Sequence, residues 1–220
     1  MNKKLITLFA LAVATVTSVS HAQEVMGDAK AGAQKIPMCI GCHGIVGYHS
    51  SFPEVYKVPM ISGQSAAYIA SALHGYKKGD RKFPTMRAVA ESMSEQDIAD
   101  VSAYYAQSGK TDAVLPAQPQ RQPSVQAAEL LKKGACVSCH GDNFAKPIDP
   151  SYPQLAGQHA DYLFIALKSY KTENNPDVGR NNAIMGAIAK QFSNAELKTL
   201  AGYISTVQGD LKTVPESRFR

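Results

Sequence analysis

Two short runs carry most of the chemistry available to this 220-residue chain. Cys39-Ile40-Gly41-Cys42-His43-Gly44 and Cys136-Val137-Ser138-Cys139-His140-Gly141 repeat one pattern 97 positions apart, and together they use all four cysteines. On a helix, residues at i, i+3 and i+4 share a face, so each run offers two thiols and an imidazole side by side. Thiols at that spacing can add across the two vinyl groups on one edge of a haem, leaving the adjacent histidine under the iron. C-x-x-C-H is the attachment signature of c-type haem. Three other uses compete. A shared zinc site would have to join pairs nearly a hundred residues apart in sequence. A thioredoxin-like redox pair needs neither the following histidine nor a helical setting. Two i,i+3 disulfides would constrain very little of the chain.

An iron held by histidine takes a second axial ligand in electron carriers, and methionine there raises the potential relative to histidine. After the second cysteine run the chain has one methionine, Met185, whose counterpart in the first half is Met86. Met38, Met60 and Met93 face Ala135, Gln154 and Phe192 at the matching positions. Repeat symmetry therefore selects Met86 and Met185 as iron ligands over an ordinary core role. Of the other histidines, His74 corresponds to Lys168 and His159 to Ser65, so neither obeys a rule shared by both halves. His49 follows His43 by six residues, too close to reach the opposite haem face. Pro59 and Pro153 recur where the chain should return past the haem. Their carbonyls are candidate acceptors for the second imidazole N–H of the ligating histidine, unless the prolines only shape a loop.

These residues need a scaffold, and the repetition extends to it. Pro59-Met60-Ile61-Ser62-Gly63-Gln64 matches Pro153-Gln154-Leu155-Ala156-Gly157-Gln158, and Met86-Arg87-Ala88-Val89-Ala90 matches Met185-Gly186-Ala187-Ile188-Ala189. The glycine-glutamine pairs should shape the turn before a helix. A drifting offset with surviving anchor points indicates a tandem duplication rather than a short-period solenoid. Ser94 with Asp97, and Ser193 with Glu196, predict capped helix starts. Apolar residues at helical spacing predict helices over 65–78 and 159–171, and shorter ones over 27–36 and 124–133. No alternating run is long enough to predict a sheet. The expected fold class is all-α: two tandem domains, each wrapped round one covalent haem.

Residues 1–22 read as a cleaved export signal. Lys3 and Lys4 precede the apolar run Leu5–Val16, and Ser20-His21-Ala22 offers a small-x-small cleavage site. The apolar run is short for a membrane anchor, and no later run is long enough to span a bilayer. A first domain over 23–110, a Pro- and Gln-rich linker over 111–123 and a second domain over 124–220 follow. Each domain is near 90 residues, small for a self-sufficient core, and a large apolar cofactor would relieve that shortage. The formal charge is +5, falling to +3 once residues 1–22 are removed. It is not gathered into a basic stripe, which excludes a nucleic-acid binder. With 45% apolar residues, wholesale disorder is also excluded.

Two C-x-x-C-H-G runs, each followed by P-x-[IL]-[AS]-G-Q and M-x-A-[VI]-A, resemble the cytochrome c4 family of dihaem periplasmic cytochromes over almost the whole chain after residue 22. The resemblance implies two class I cytochrome c domains related by a pseudo-twofold axis. It implies that Cys39, Cys42, Cys136 and Cys139 hold two haem c groups and that His43, Met86, His140 and Met185 bind the irons. It further implies single-electron transfer from a membrane quinol-oxidising complex to a terminal oxidase or another redox acceptor. The stretch Ile45–Val58 departs from the pattern and leaves the partner and the relative exposure of the two haems open.

Alternatives within the same chemistry are a haem c subunit of a larger oxidoreductase, such as a flavocytochrome sulfide dehydrogenase, and a dihaem peroxidase. The peroxidase needs one iron with a free position, whereas both halves offer methionine. Lys77, Lys78, Arg81 and Lys82 form either a solvated helix end or a docking patch for an acidic partner.

Overall fold

A computed structural model describes residues 25–110 and 114–216. The expected export signal and its cleavage site lie outside the described residues. Among the described residues, no helix is long and apolar enough to cross a membrane.

The chain is mostly helical. In the first copy, α1 (Ala29–Lys35) and α2 (Pro37–His43) lead into two short strands, β1 (His49–Ser50) and β2 (Tyr56–Lys57). Then come α3 (Ala66–Lys78), β3 (Arg81–Lys82), α4 (Pro84–Glu91) and α5 (Glu95–Gln107). The second copy runs α6 (Val125–Lys133), α7 (Val137–His140), α8 (Ala160–Ser169), β4 (Gly179–Arg180), α9 (Ala183–Ala189) and α10 (Asn194–Ile204). The predicted helices form within a residue or two of their expected ends. Ser94 and Asp97, like Ser193 and Glu196, make reciprocal capping boxes, satisfying two otherwise orphaned amides at each helix start.

Each copy buries its own apolar stripe. Ile36, Ile98 and Ala90 are at most 1% exposed and centre the first core, where α3 and α5 meet. Leu197, Leu200 and Phe144 occupy the same role in the second. The first copy packs α1 tightly on α5: a Cβ on Gly32 would stand 2.2 Å from the Asp100 carbonyl oxygen, so only glycine permits that approach.

The two-residue strands were not legible as sheet, because they bury no alternating face. β1 pairs antiparallel with β2 and closes the Ile45–Val58 departure into a hairpin. β3 pairs antiparallel with β4, joining the copies directly. Two further segments cross between them. Leu115, inside the proline-rich stretch, is buried in the second core, and the Pro116 carbonyl accepts from Asn143. The C-terminal tail runs the other way. The Lys212 amide donates to the Ser62 carbonyl, Lys212 Nζ to the Gly109 carbonyl, and Tyr104 to Glu216.

Candidate functional site

The helix α2 starts with Pro37 at its first turn and ends at Gly44, which places Cys39, Cys42 and His43 on one wall of a cavity of about 400 Å³. Met86, carried by α4, lines the same cavity. In the second copy, α7 is a single turn. Cys136, His140 and Met185 line two adjoining voids of about 80 and 270 Å³, the larger also touching Cys139. Gly141 leaves α7 at φ +78, and a Cβ there would meet the Lys146 carbonyl at 2.1 Å, so the glycine after the histidine is a steric requirement.

The two histidines share one setting. His43 Nδ1 donates to the Pro59 carbonyl at 2.8 Å, and His140 Nδ1 to the Pro153 carbonyl at 3.1 Å. The expected proline acceptors are therefore in place in both copies. Burial pushes both imidazoles below the ordinary histidine range, against the opposing effect of those carbonyls. A neutral ring that donates from Nδ1 keeps its Nε2 lone pair available to a metal. Burial also raises the Cys39 thiol to about 11 and pushes Cys136 upward. No disulfide joins any of the four cysteines among the described residues.

The other sulfur and imidazole candidates sort by position. Met38, Met60 and Met93 join Met86 on the first cavity, whereas Met185 is the one methionine lining the second among the described residues. His49 lines the first cavity from the hairpin. His74 lies beside Glu95 at 3.6 Å instead. His159 precedes α8, with burial pushing its imidazole below the ordinary range.

Sequence reading missed a set of polar residues around the cavities. Arg81 donates to the Tyr68 hydroxyl at 2.9 Å and stands over the Tyr68 and Tyr76 rings. Arg180 repeats this with Tyr162 and Tyr170. The repeat alignment contained the signal: both tyrosine pairs and the arginine pair stand at matching positions. Among the described residues, neither guanidinium has a carboxylate partner. Two such cations beside cavities that each hold a cysteine pair, a histidine and a methionine fit a haem with its two propionates.

The basic cluster is correspondingly not one patch. Arg81 faces the tyrosines, Lys77 donates to the Met93 carbonyl, and Lys82 reaches across to the Asn175 carbonyl. Lys78 alone of the four is exposed.

The hairpin accounts for the departure at Ile45–Val58. Phe52 stacks near Phe83 at 6.2 Å, and buried Tyr56 lies 6.3 Å from Tyr162 of the second copy. Asp161 accepts from the Lys57 amide, and Lys168 pairs with Glu54 at 2.5 Å. The hairpin walls the first cavity and docks it on α8.

Comparison with known proteins supports the same reading. The cytochrome c family model matches residues 124–208. Cytochrome c4 of Azotobacter vinelandii is 33% identical over 93% of this chain and 98% of its own length. Cytochrome c4 of Pseudomonas aeruginosa is 31% identical with the same coverage. The crystal structure of reduced recombinant cytochrome c4 from Pseudomonas stutzeri superposes with a TM-score of 0.64 at 28% identity, covering 83% of this chain and all of that one. Coverage of both copies by the same relatives, with the duplicated cysteine runs and mostly helical fold, makes this chain a member of the cytochrome c4 family, an electron carrier with two haem c groups rather than an enzyme.

Proposed function

We propose that 23–110 and 124–220 are the two haem domains. Cys39 and Cys42 bind one haem through thioethers, and Cys136 and Cys139 bind the other. His43 with Met86, and His140 with Met185, would hold the two irons. The observation that carries this reading is that each cavity brings together a cysteine pair, a carbonyl-anchored neutral histidine and the repeat-matched methionine.

When bound, each haem supplies a one-electron iron couple. The chain does the rest. Ile69, Leu73 and Val101 in the first copy, and Leu163, Leu197 and Leu200 in the second, keep water from the cavities. The proline carbonyls fix the imidazole planes and raise the basicity of the rings, and a methionine sulfur as the second ligand would favour the reduced state. A histidine and a methionine both held to each iron would leave no ligand position for substrate, which would suit outer-sphere transfer.

The carrier is proposed to be exported to the periplasm by the 1–22 signal. There it takes electrons from a membrane quinol-oxidising complex and delivers them to a terminal oxidase or another redox protein. A second class of donor has support: a "thiosulfate dehydrogenase electron acceptor" of Stutzerimonas stutzeri is 28% identical over 77% of this chain. Likeness to the thiosulfate dehydrogenase of Marichromatium purpuratum, of which this chain covers 36% (TM-score 0.55), supports a dehydrogenase partner too.

Haem quantification and a ferric spectrum of the matured protein test the assignment. Two haems per chain with the methionine–iron charge-transfer band are expected, and Met86→Ala or Met185→Ala should each remove about half of the band, since each removes one of two equivalent sulfur ligands. A full band in either variant overturns that ligand. Co-purification with a dehydrogenase would favour the second donor class, and reduction by a quinol-oxidising complex the first.

A further inference from the structure

Gln64 and Gln158 are 3% and 4% exposed, yet each serves the opposite copy. Gln158 Nε2 donates to the Met60 carbonyl at 2.9 Å, and its Oε1 accepts the Met60 N–H at 3.1 Å. Gln64 Nε2 donates to the Gln154 carbonyl, and its Oε1 accepts the Gln154 N–H, both at 3.0 Å. Each Oε1 also takes the amide of the next residue in its own chain segment, His159 or Ser65. Backbone N–H groups only donate, so the orientation of both side-chain amides is fixed.

Met60 and Gln154 directly follow Pro59 and Pro153. One peptide unit therefore carries both the carbonyl that accepts from His43 and the N–H that donates to Gln158. The matching unit carries the acceptor for His140 and the donor to Gln64. Resonance ties the two ends together: accepting the N–H draws negative charge onto the carbonyl oxygen, and hydrogen bonds in such a chain strengthen one another. A stronger acceptor makes the imidazole more basic, which favours the oxidised iron.

We propose that Gln158 lowers the potential of the first haem and Gln64 that of the second: each is a positioning residue for the histidine of the opposite copy. This rests on the reading of His43 and His140 as axial ligands. Because coupling is reciprocal, oxidation of the first haem strengthens the Met60–Gln158 bond, and oxidation of the second strengthens the Gln154–Gln64 bond. The contact between the copies is then tightest in the fully oxidised protein.

The test uses the matured dihaem protein with Gln158→Met and Gln64→Met, unbranched side chains that keep volume and remove both hydrogen-bonding edges. The methyl resonances of Met86 and Met185 report each haem separately during a redox titration. Gln158→Met should raise the Met86-side potential, and Gln64→Met the Met185-side potential. The expected size is about threefold to tenfold in the one-electron equilibrium constant, tenfold being 59 mV. Equal shifts at both haems, or a larger shift at the haem of the mutated copy, overturn the proposal. Should a variant fail to mature, amide exchange of the unmodified protein decides: the Met60 and Gln154 amides should exchange more slowly in the ferric state, and equal rates in both states overturn the relay. Absence of the methionine–iron band from the unmodified protein overturns the ligand assignment beneath it. An intact band with uncrossed shifts overturns the relay alone.

Discussion

Arg81 and Arg180 are Cα partners across the antiparallel pair that joins the two copies. Like charges directly opposite one another on a sheet repel, and here the described residues supply hydroxyls and tyrosine faces but no carboxylate. Haem propionates, the anions a bound cofactor would bring, would neutralise both arginines. Arg81→Gln and Arg180→Gln should each lower a haem potential by roughly threefold to tenfold in the one-electron equilibrium constant, where tenfold is 59 mV, because removing a nearby cation favours the oxidised iron. Potentiometric titration of each variant checks the direction, and a rise in potential would count against propionate neutralisation.

Acid should loosen the first copy before the second. Asp100 has a side chain only 3% exposed. It accepts the Asp28 amide and pairs with Lys35 at 2.6 Å, and those partners hold its carboxyl below the ordinary range. The matching residue of the second copy is Thr199. A carboxyl depressed in the folded state contributes stability that is complete above its unfolded pKa of about 3.9 and disappears as pH falls through the folded value. Unfolding followed from pH 5 downward should show the first haem's methionine–iron signal failing first. Asp100→Asn should cost about 2 kcal/mol at neutral pH and abolish that difference.

Glycine after the histidine is required more strictly in the second copy than in the first. Gly141 has positive φ and faces the Lys146 carbonyl, whereas Gly44 has φ −96 and its nearest obstacle is the Ile40 carbonyl at 2.8 Å. Gly141→Ala should destabilise by at least about 2 kcal/mol and reduce haem attachment at Cys136 and Cys139. Gly44→Ala should be milder on both counts, as measured by denaturant unfolding and haem stoichiometry.

The hairpin is held by its tyrosine more than by its charges. Tyr56 is 7% exposed and packs against Tyr162, so Tyr56→Ala should cost about 3 kcal/mol and speed reduction of the first haem by a small reagent. Glu54→Ala removes a half-exposed ion pair with Lys168 and should cost under about 1 kcal/mol. Equilibrium unfolding distinguishes the two. A larger loss from Glu54→Ala would reverse this account.

Much of the site was legible because its chemistry is local. Two thiols and an imidazole within five residues need only one turn of helix, and the duplication gives Met86 and Met185 as the one matched methionine pair. The capping boxes were legible for the same reason. What escaped was whatever depends on residues distant in sequence facing one another. Gln64 and Gln158 look like turn residues until the partner peptide is seen, and Arg81 looks like a surface cation until the tyrosines close round it. Their recurrence at matching positions marked them as shared requirements, but a repeat comparison within one chain cannot say that the shared contact is crossed. The hairpin was hidden because two-residue strands carry no period to read.

The tail that bonds Lys212 to Ser62 and Glu216 to Tyr104 has a consequence for biogenesis. A chain emerging N-terminus first delivers the residues of its first copy early and their closing strap last. Contacts of such long sequence separation form late in folding, although the first copy's own core contains no tail residue. A chain cut before Lys212 would lose every one of these ties between its last residues and its first copy.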